Sequence, residues 1–245
     1  MTKAEIQFIR SLADKRTRDS EGLFIAEGVK LVEEIRASDF RIRRIYTTRT
    51  DIVGANVEHV ERKDMERISE LKTASDTLTI VEKPRYKLSL PSIKGDLAIA
   101  LDGVQNPGNL GTIIRLADWF GVKDIICSAE CADCFNPKVV QATMGAILRV
   151  RVHYTDNLAQ LLRAAHSEGM PIYGTLLDGE NIYTKELTTH GIIVMGNEGK
   201  GLSRLVEERC DFRLSIPLYG SINSMNVSAA AAVLFCEAAR QHHKK

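Results

Sequence analysis

Six short apolar runs recur through the last 150 residues: Leu97–Leu101, Asp124–Cys127, Val150–Tyr154, Ile172–Leu176, Ile192–Met195 and Phe212–Ile216. Helix-like segments separate them. Strands that alternate with helices form a largely parallel sheet covered by those helices, so the fold class expected is α/β. The front of the chain has a different rhythm. Helix patterns at Ala4–Ala13, Gly28–Ala37 and Lys63–Leu71 alternate with β-branched stretches at Ile42–Thr47 and Thr77–Val81, which describes a small α/β module. Between Lys83 and Gly95, Pro84, Pro91 and several polar residues interrupt the periodicity as a linker would. The expected boundary is near Ser89, giving domains at 1–88 and 89–245.

At 245 residues, with 44% hydrophobic and 27% charged, the chain can bury one large core or two modest ones. No apolar run approaches the roughly 18 residues of a membrane span, and Met1-Thr2-Lys3-Ala4-Glu5 lacks the apolar region of a signal peptide. The expectation is therefore a cytoplasmic protein with no membrane partner. A net charge of +1 excludes a broadly basic nucleic-acid binder. Local clusters remain: Lys15, Arg16 and Arg18, read as one loop, and Arg41, Arg43 and Arg44 beside a strand pattern. Either could meet phosphates, although a solvated face is the preferred account of any one cluster.

Three of the strand ends carry the residues of chemical interest. After Leu97–Leu101 comes Asp102-Gly103-Val104-Gln105-Asn106-Pro107-Gly108-Asn109, then a helix expected to begin near Leu110 and to carry Arg115. After Ile192–Met195 comes Gly196-Asn197-Glu198-Gly199-Lys200-Gly201. Its glycines permit positive φ and close approach, but Lys200 has no following Ser or Thr, so the pattern is not a phosphate loop. The third strand ends at Ile216-Pro217. A Gly/Ser/Asn loop then runs through Leu218, Asn223, Ser224, Met225 and Asn226 into an alanine-rich helix that Ser224 or Asn226 can cap.

In this order, Asn109-x-Gly111-x3-Arg115, Gly196-Asn197-Glu198-Gly199 and Ile216-Pro217 with Ser224-Met225-Asn226-Val227-Ser228 resemble the three motifs of the SpoU/TrmH family. These are ribose 2′-O-methyltransferases of the SPOUT superfamily that use S-adenosylmethionine. Asn136–Ala146 looks like the family's linking helix, and Glu21–Gly28 resembles the start of the L30e-like RNA-binding domain that many members carry. Asn106 stands where an Asp is common, and Trp119 is bulkier than the residue usual there. The resemblance implies a parallel sheet with a C-terminal trefoil knot, a homodimer, and an RNA substrate, with ribosomal RNA favoured over transfer RNA. By the same resemblance Arg115, Asn109, Glu198, Ser224 and Asn226 are the catalytic set. Gly196, Asn197, Ile216, Leu218 and Met225 meet the cofactor, mostly through main chain. Glu198 is expected to bond backbone N–H groups or position the nucleotide, and Ser224 to orient the substrate or a neighbour. The rival from another class is a catalytically idle RNA-binding relative, which the complete motif set argues against.

Cys127, Cys131 and Cys134 form C-x3-C-x2-C, the spacing by which radical S-adenosylmethionine enzymes hold an iron–sulfur cluster. Asp133 stands where that motif usually has an aromatic residue, and a fourth zinc ligand at suitable spacing is missing. Five reduced thiols are the preferred account, no metal is expected, and the six histidines are read mostly as surface residues.

Overall fold

The computed structural model describes residues 1–222 and 224–242, so Asn223 of the third loop and His243 lie outside the described residues. Its strands are β1 (Leu23–Glu27), β2 (Ile42–Thr47), β3 (Val57–His59), β4 (Thr77–Glu82), β5 (Leu97–Leu101), β6 (Asp124–Ser128), β7 (Arg151–Thr155), β8 (Ile172–Asn181), β9 (Gly191–Met195) and β10 (Phe212–Ser215). The chain divides into two compact units, residues 1–85 with 133–148, and residues 86–132 with those from 149 onward.

In the first unit the strand order is β1-β4-β2-β3, antiparallel except for the parallel pair β2/β3. Although β1 lies at the sheet edge, all five of its residues are buried. The helix Pro137–Thr143 packs on it, and Phe135 meets Phe24 with ring centroids 4.7 Å apart. Those apolar contacts are why 133–148 packs with the N-terminal residues despite their distance in the chain. Ile6, Ile9, Leu12, Met65 and Ile68 cover β1 and β4 through Leu23, Ile25, Leu78 and Ile80.

One basic cluster differs from its reading as a loop. Residues Lys15–Glu21 form a helix, begun by Asp14, whose Oδ1 accepts from the N–H groups of Arg16 and Thr17. Arg18 is 1% exposed: it donates to the carbonyls of Leu12 and Ala13 and pairs with Asp133 at 2.5 Å. Its position on the inward face of the turn takes it away from any phosphate. Lys15 is engaged with Asp19, and Arg16 alone of the three is both exposed and without a described ion pair.

The second unit is built on a sheet of order β10-β8-β9-β5-β6-β7, with every pairing parallel. These strands are the six apolar runs, β8 extending to Asn181. Ala98 and Ala100 of β5 share a core with Leu158, Leu162 and Ala165 of the helix Leu158–Ser167, and with Leu202 and Val206 around the short helix Arg204–Glu207. Alternation turns Ile99 and Leu101 to the other face of the sheet. The helices Pro107–Trp119 and Val227–His242 pack against each other, with Phe120 edge-on to Phe235. The expected linker contains a short helix, Leu90–Ile93, whose Ile93 is buried in the core.

His153 also departs from expectation. It is buried on β7 with Nε2 2.9 Å from Asp124, which Arg151 holds as well. Burial pushes the Asp124 carboxyl upward, but the bonds from His153 and Arg151 outweigh it and hold the group at about 2.

Candidate active site

The loops after β5, β9 and β10 leave the carboxyl ends of three parallel strands, the edge at which open α/β sheets bind ligands. The first two are tied to each other. Asp102 donates its N–H to the Met195 carbonyl and accepts from the Ser203 N–H at 2.6 Å. Gly103 turns the chain at φ +71°, a conformation glycine adopts without penalty, and its carbonyl accepts from Asn197 Nδ2 at 2.7 Å. Asn197 Oδ1 accepts from the N–H groups of Gly199 and Lys200, while its backbone exchanges two 2.9 Å bonds with Gly201. At Gly196 a Cβ would lie 2.2 Å from the carbonyl carbon of Gly201. This position therefore excludes a side chain because the returning backbone fills its space.

Cysteine chemistry enters here in a way that spacing did not reveal. Cys131 Sγ donates to the Leu101 carbonyl at 3.2 Å and accepts from the Val104 N–H at 3.3 Å, bracing the start of the first loop. Ser128 Oγ braces it too, accepting from the Gly103 N–H. A bond from Cys127, followed by those of Ser128 and the loop, lowers the Cys131 thiol to about 7 against the opposing effect of burial. Cys210 is pushed up to about 12, chiefly by burial.

Asn106 caps the next helix, its Oδ1 accepting from the N–H groups of Gly108 and Asn109. An amide oxygen thus does there what a carboxylate would. Because the cap and Pro107 start the helix at Pro107, it begins three residues before the expected Leu110. Asn109 consequently lies in the first turn, with Arg115 about 9 Å further along the axis.

The three loops meet through side chains. Asn109 Nδ2 donates to Glu198 Oε1 at 2.7 Å, and Asn226 Nδ2 donates to Asn109 Oδ1 at 3.1 Å. A carboxylate can only accept, so Glu198 fixes which way the Asn109 amide faces, and that amide in turn orients Asn226. Of the two roles expected of Glu198, bonding backbone N–H groups or positioning the nucleotide, the first is not seen among the described residues, where Glu198 takes a side-chain amide. Asn226 Oδ1 accepts from the N–H groups of Ser228 and Ala229, so Asn226 rather than Ser224 caps the helix Val227–His242.

The other candidates are not drawn into this chain of bonds. Arg115 is exposed and its guanidinium makes no ion pair with a described residue. Ser224 is exposed and has no described hydrogen bond. Ile216 is half-buried, while Leu218 and Met225 are 62% and 49% exposed. No backbone–backbone hydrogen bond ties residues 216–225 to other described residues. Apart from the Ile216 carbonyl, which accepts from Ser215 Oγ, the described residues of this loop leave their peptide groups and the side chains of Leu218, Tyr219, Ile222 and Met225 open. Asp102, Ser128, Cys131 and Ser203 are the positions that motif reading missed. Only Asp102, directly after an apolar strand, carried a local signal.

Comparison with known proteins identifies relatives over most of the chain. Residues 96–236 match the SpoU rRNA Methylase family, and residues 3–79 match the MRM3-like substrate binding domain. The 23S rRNA (guanosine(2553)-2′-O)-methyltransferase RlmP of Bacillus subtilis is 29% identical over 232 residues, 92% of each chain. The 23S rRNA (guanosine-2′-O-)-methyltransferase RlmB of Xanthomonas campestris pv. campestris is 32% identical over 213 residues, covering 86% of this chain and 82% of its own. Among solved structures, an AdoMet-bound rRNA methyltransferase from Sinorhizobium meliloti superposes with a TM-score of 0.89 at 30% identity, over 100% of this chain and 97% of that one.

Proposed function

Since the chain belongs to the SpoU rRNA Methylase family, we propose that it methylates a ribose 2′-hydroxyl of ribosomal RNA with S-adenosylmethionine as methyl donor. The observation that carries this reading is the bonded series Asn226, Asn109, Glu198, which ties three loops together at one edge of a parallel sheet.

The third loop suits the donor. Its free peptide groups match the polar edge of an adenosine, and exposed Leu218 and Met225 offer apolar surface to the base. Gly196, Asn197 and Ile216 would supply main-chain contacts beside them. When bound, S-adenosylmethionine supplies a methyl group on a cationic sulfur that leaves with its bonding pair as the ribose oxygen attacks. The protein must line up hydroxyl, methyl and sulfur and stabilise charge on the attacking oxygen.

Arg115 is the group for that charge. Arg115 acts as a positive clamp on the oxygen and an adjoining phosphate, and the proton leaves to phosphate or water. Asn109 holds the reacting groups in register because Glu198 and Asn226 restrain it from both sides. Ser224, free of described bonds, orients the substrate.

The remaining features follow the same reading. The C-terminal segment threads a trefoil knot that brings the loops after β9 and β10 together. The first unit is an L30e-like RNA-binding module. The enzyme works in the cytoplasm and as a homodimer, the second of which the 82% exposure of Trp119 and the exposed Tyr219 and Ile222 support. No helix of the described residues is long and apolar enough to cross a membrane.

The test is transfer of labelled methyl from S-adenosylmethionine to ribosomal RNA, followed by digestion to nucleosides. A labelled 2′-O-methylnucleoside is the expected product. Label on a base, or no transfer to any RNA despite cofactor binding, would overturn the assignment.

A further inference from the structure

We propose that the cleft between the helices Leu158–Ser167 and Arg204–Glu207 binds a backbone phosphate of the RNA, a few nucleotides from the methylated ribose. The inference rests on the methyltransferase reading and adds a second contact to it. The cleft has a volume of about 370 Å³ and is lined by Asn157, Ala159, Gln160, Arg163, Leu205 and Arg209. Two guanidiniums line it and no carboxylate does.

The charges are what distinguish this place. Neighbouring arginines are neutralised within the protein: Arg204 pairs with Glu208, and Arg213 pairs with Glu207 and Asp178. Arg163 and Arg209 are exposed and make no ion pair with a described residue. Two unpaired cations on facing elements repel each other unless an anion lies between them, and a guanidinium fork matches the paired oxygens of a phosphodiester. Asn157 Oδ1 is committed to the Gln160 N–H, which leaves the Asn157 amide N–H groups and the Gln160 side chain as further donors. Leu205, 65% exposed, gives a sugar an apolar surface to rest on.

Position supplies the link to the reaction. Asn157 lies two residues beyond the carboxyl end of β7, and Leu205 and Arg209 follow the loop that carries Gly196 and Glu198 from β9. The cleft therefore runs from the edge of the sheet where the site loops lie along the two helices, reaching Arg209 three residues before the amino end of β10. Ser203, directly before the short helix, is bonded to Asp102 of the first loop, so the cleft wall is fixed relative to Asn109. An RNA strand leaving the site carries a phosphate at every nucleotide, and this is an unneutralised basic cleft leading away from that edge over the helices.

The experiment compares full-length wild type with R163Q/R209Q in binding a ribosomal RNA fragment between 50 and 200 mM salt. Each lost phosphate contact to a single strand reduces the slope of log K against log salt by about 0.7, so the double variant, which loses the one phosphate held between both guanidiniums, is expected to lose about 0.7. The R163K/R209K variant, which keeps both charges, is expected to retain the slope. S-adenosylmethionine affinity, measured alongside, is expected to match wild type in all proteins. An unchanged slope and RNA affinity in R163Q/R209Q would overturn the proposal. Should that variant fail to bind cofactor, Gln160→Glu places a negative charge in the cleft instead: weakened RNA binding supports the proposal, and unchanged binding overturns it. Wild type that binds cofactor but neither binds nor methylates RNA would refute the underlying function, an outcome separate from failure of the cleft alone.

Discussion

The loops after β5 and β9 differ sharply from the loop after β10. The first two are braced from within by Asp102 to Ser203, Asn197 to Gly103, Cys131 to Val104 and the reciprocal pair Asn197 and Gly201. The third has no described backbone bond between 216 and 225 and exposes Leu218, Tyr219, Ile222 and Met225. Among its described residues the firm anchor is Asn226, at its end. The difference separates two tasks of a transferase pocket. Rigid loops hold catalytic groups in place before substrate arrives, while an open loop keeps its peptide groups available for a ligand.

Substitutions along this division should have graded effects. The largest is expected at Arg115, on the helix that the braced loop leads into. Arg115→Lys keeps charge but loses the planar fork, and kcat should fall on the order of 100-fold in a methyl-transfer assay while cofactor affinity holds. Wild-type turnover in that variant would remove the clamp role. Next comes Gly196→Ala, whose methyl would collide with backbone at 2.2 Å. A destabilisation of about 2–3 kcal/mol is expected in denaturant titration, with loop displacement lowering activity severalfold or more. An unaltered midpoint would show that the two braced loops can part.

Asn226→Ala should have a moderate effect. It removes the helix cap and the bond to Asn109, so a loss of about 1 kcal/mol is expected, together with a drop of about 10-fold in kcat/KM. Stability loss without any kinetic change would make Asn226 a cap alone. The smallest effect belongs to the open loop itself. Met225→Ala should raise the cofactor Kd by no more than about fivefold by calorimetry, because the contacts proposed there are mainly main chain and the side chain offers only part of its apolar surface. A loss of 100-fold would show that the loop binds through its side chains after all.

Much of this architecture was readable along the chain. The six apolar runs became β5 to β10, because a buried parallel strand needs little more than a short apolar stretch and a turn at its end. The cap at Asn106 and the helix start at Pro107 were not read, although both depend only on neighbours two or three residues away. Family resemblance marked Asn109, Glu198 and Asn226 as belonging to one site, but periodicity alone could not have joined them. Arg18 shows the reverse failure: its sequence neighbours suggested a solvated cluster, and Asp133, 115 positions away, buried it.

Local chemistry along the chain thus settled where the six parallel strands lie and that the fold is α/β with a parallel sheet, while the helix Lys15–Glu21 and the helix start at Pro107 came only with the structure. The folded arrangement settled which polar groups are partners. Asn109 meets Glu198 across 89 residues and Asn226 across 117, while Cys131 braces a loop 27 residues earlier. Hydrophobic periodicity and turn preference act over a few residues, whereas a hydrogen bond needs two atoms within about 3 Å. Which distant atoms come that close depends on the order in which the strands assemble, and only the packed sheet contains that order.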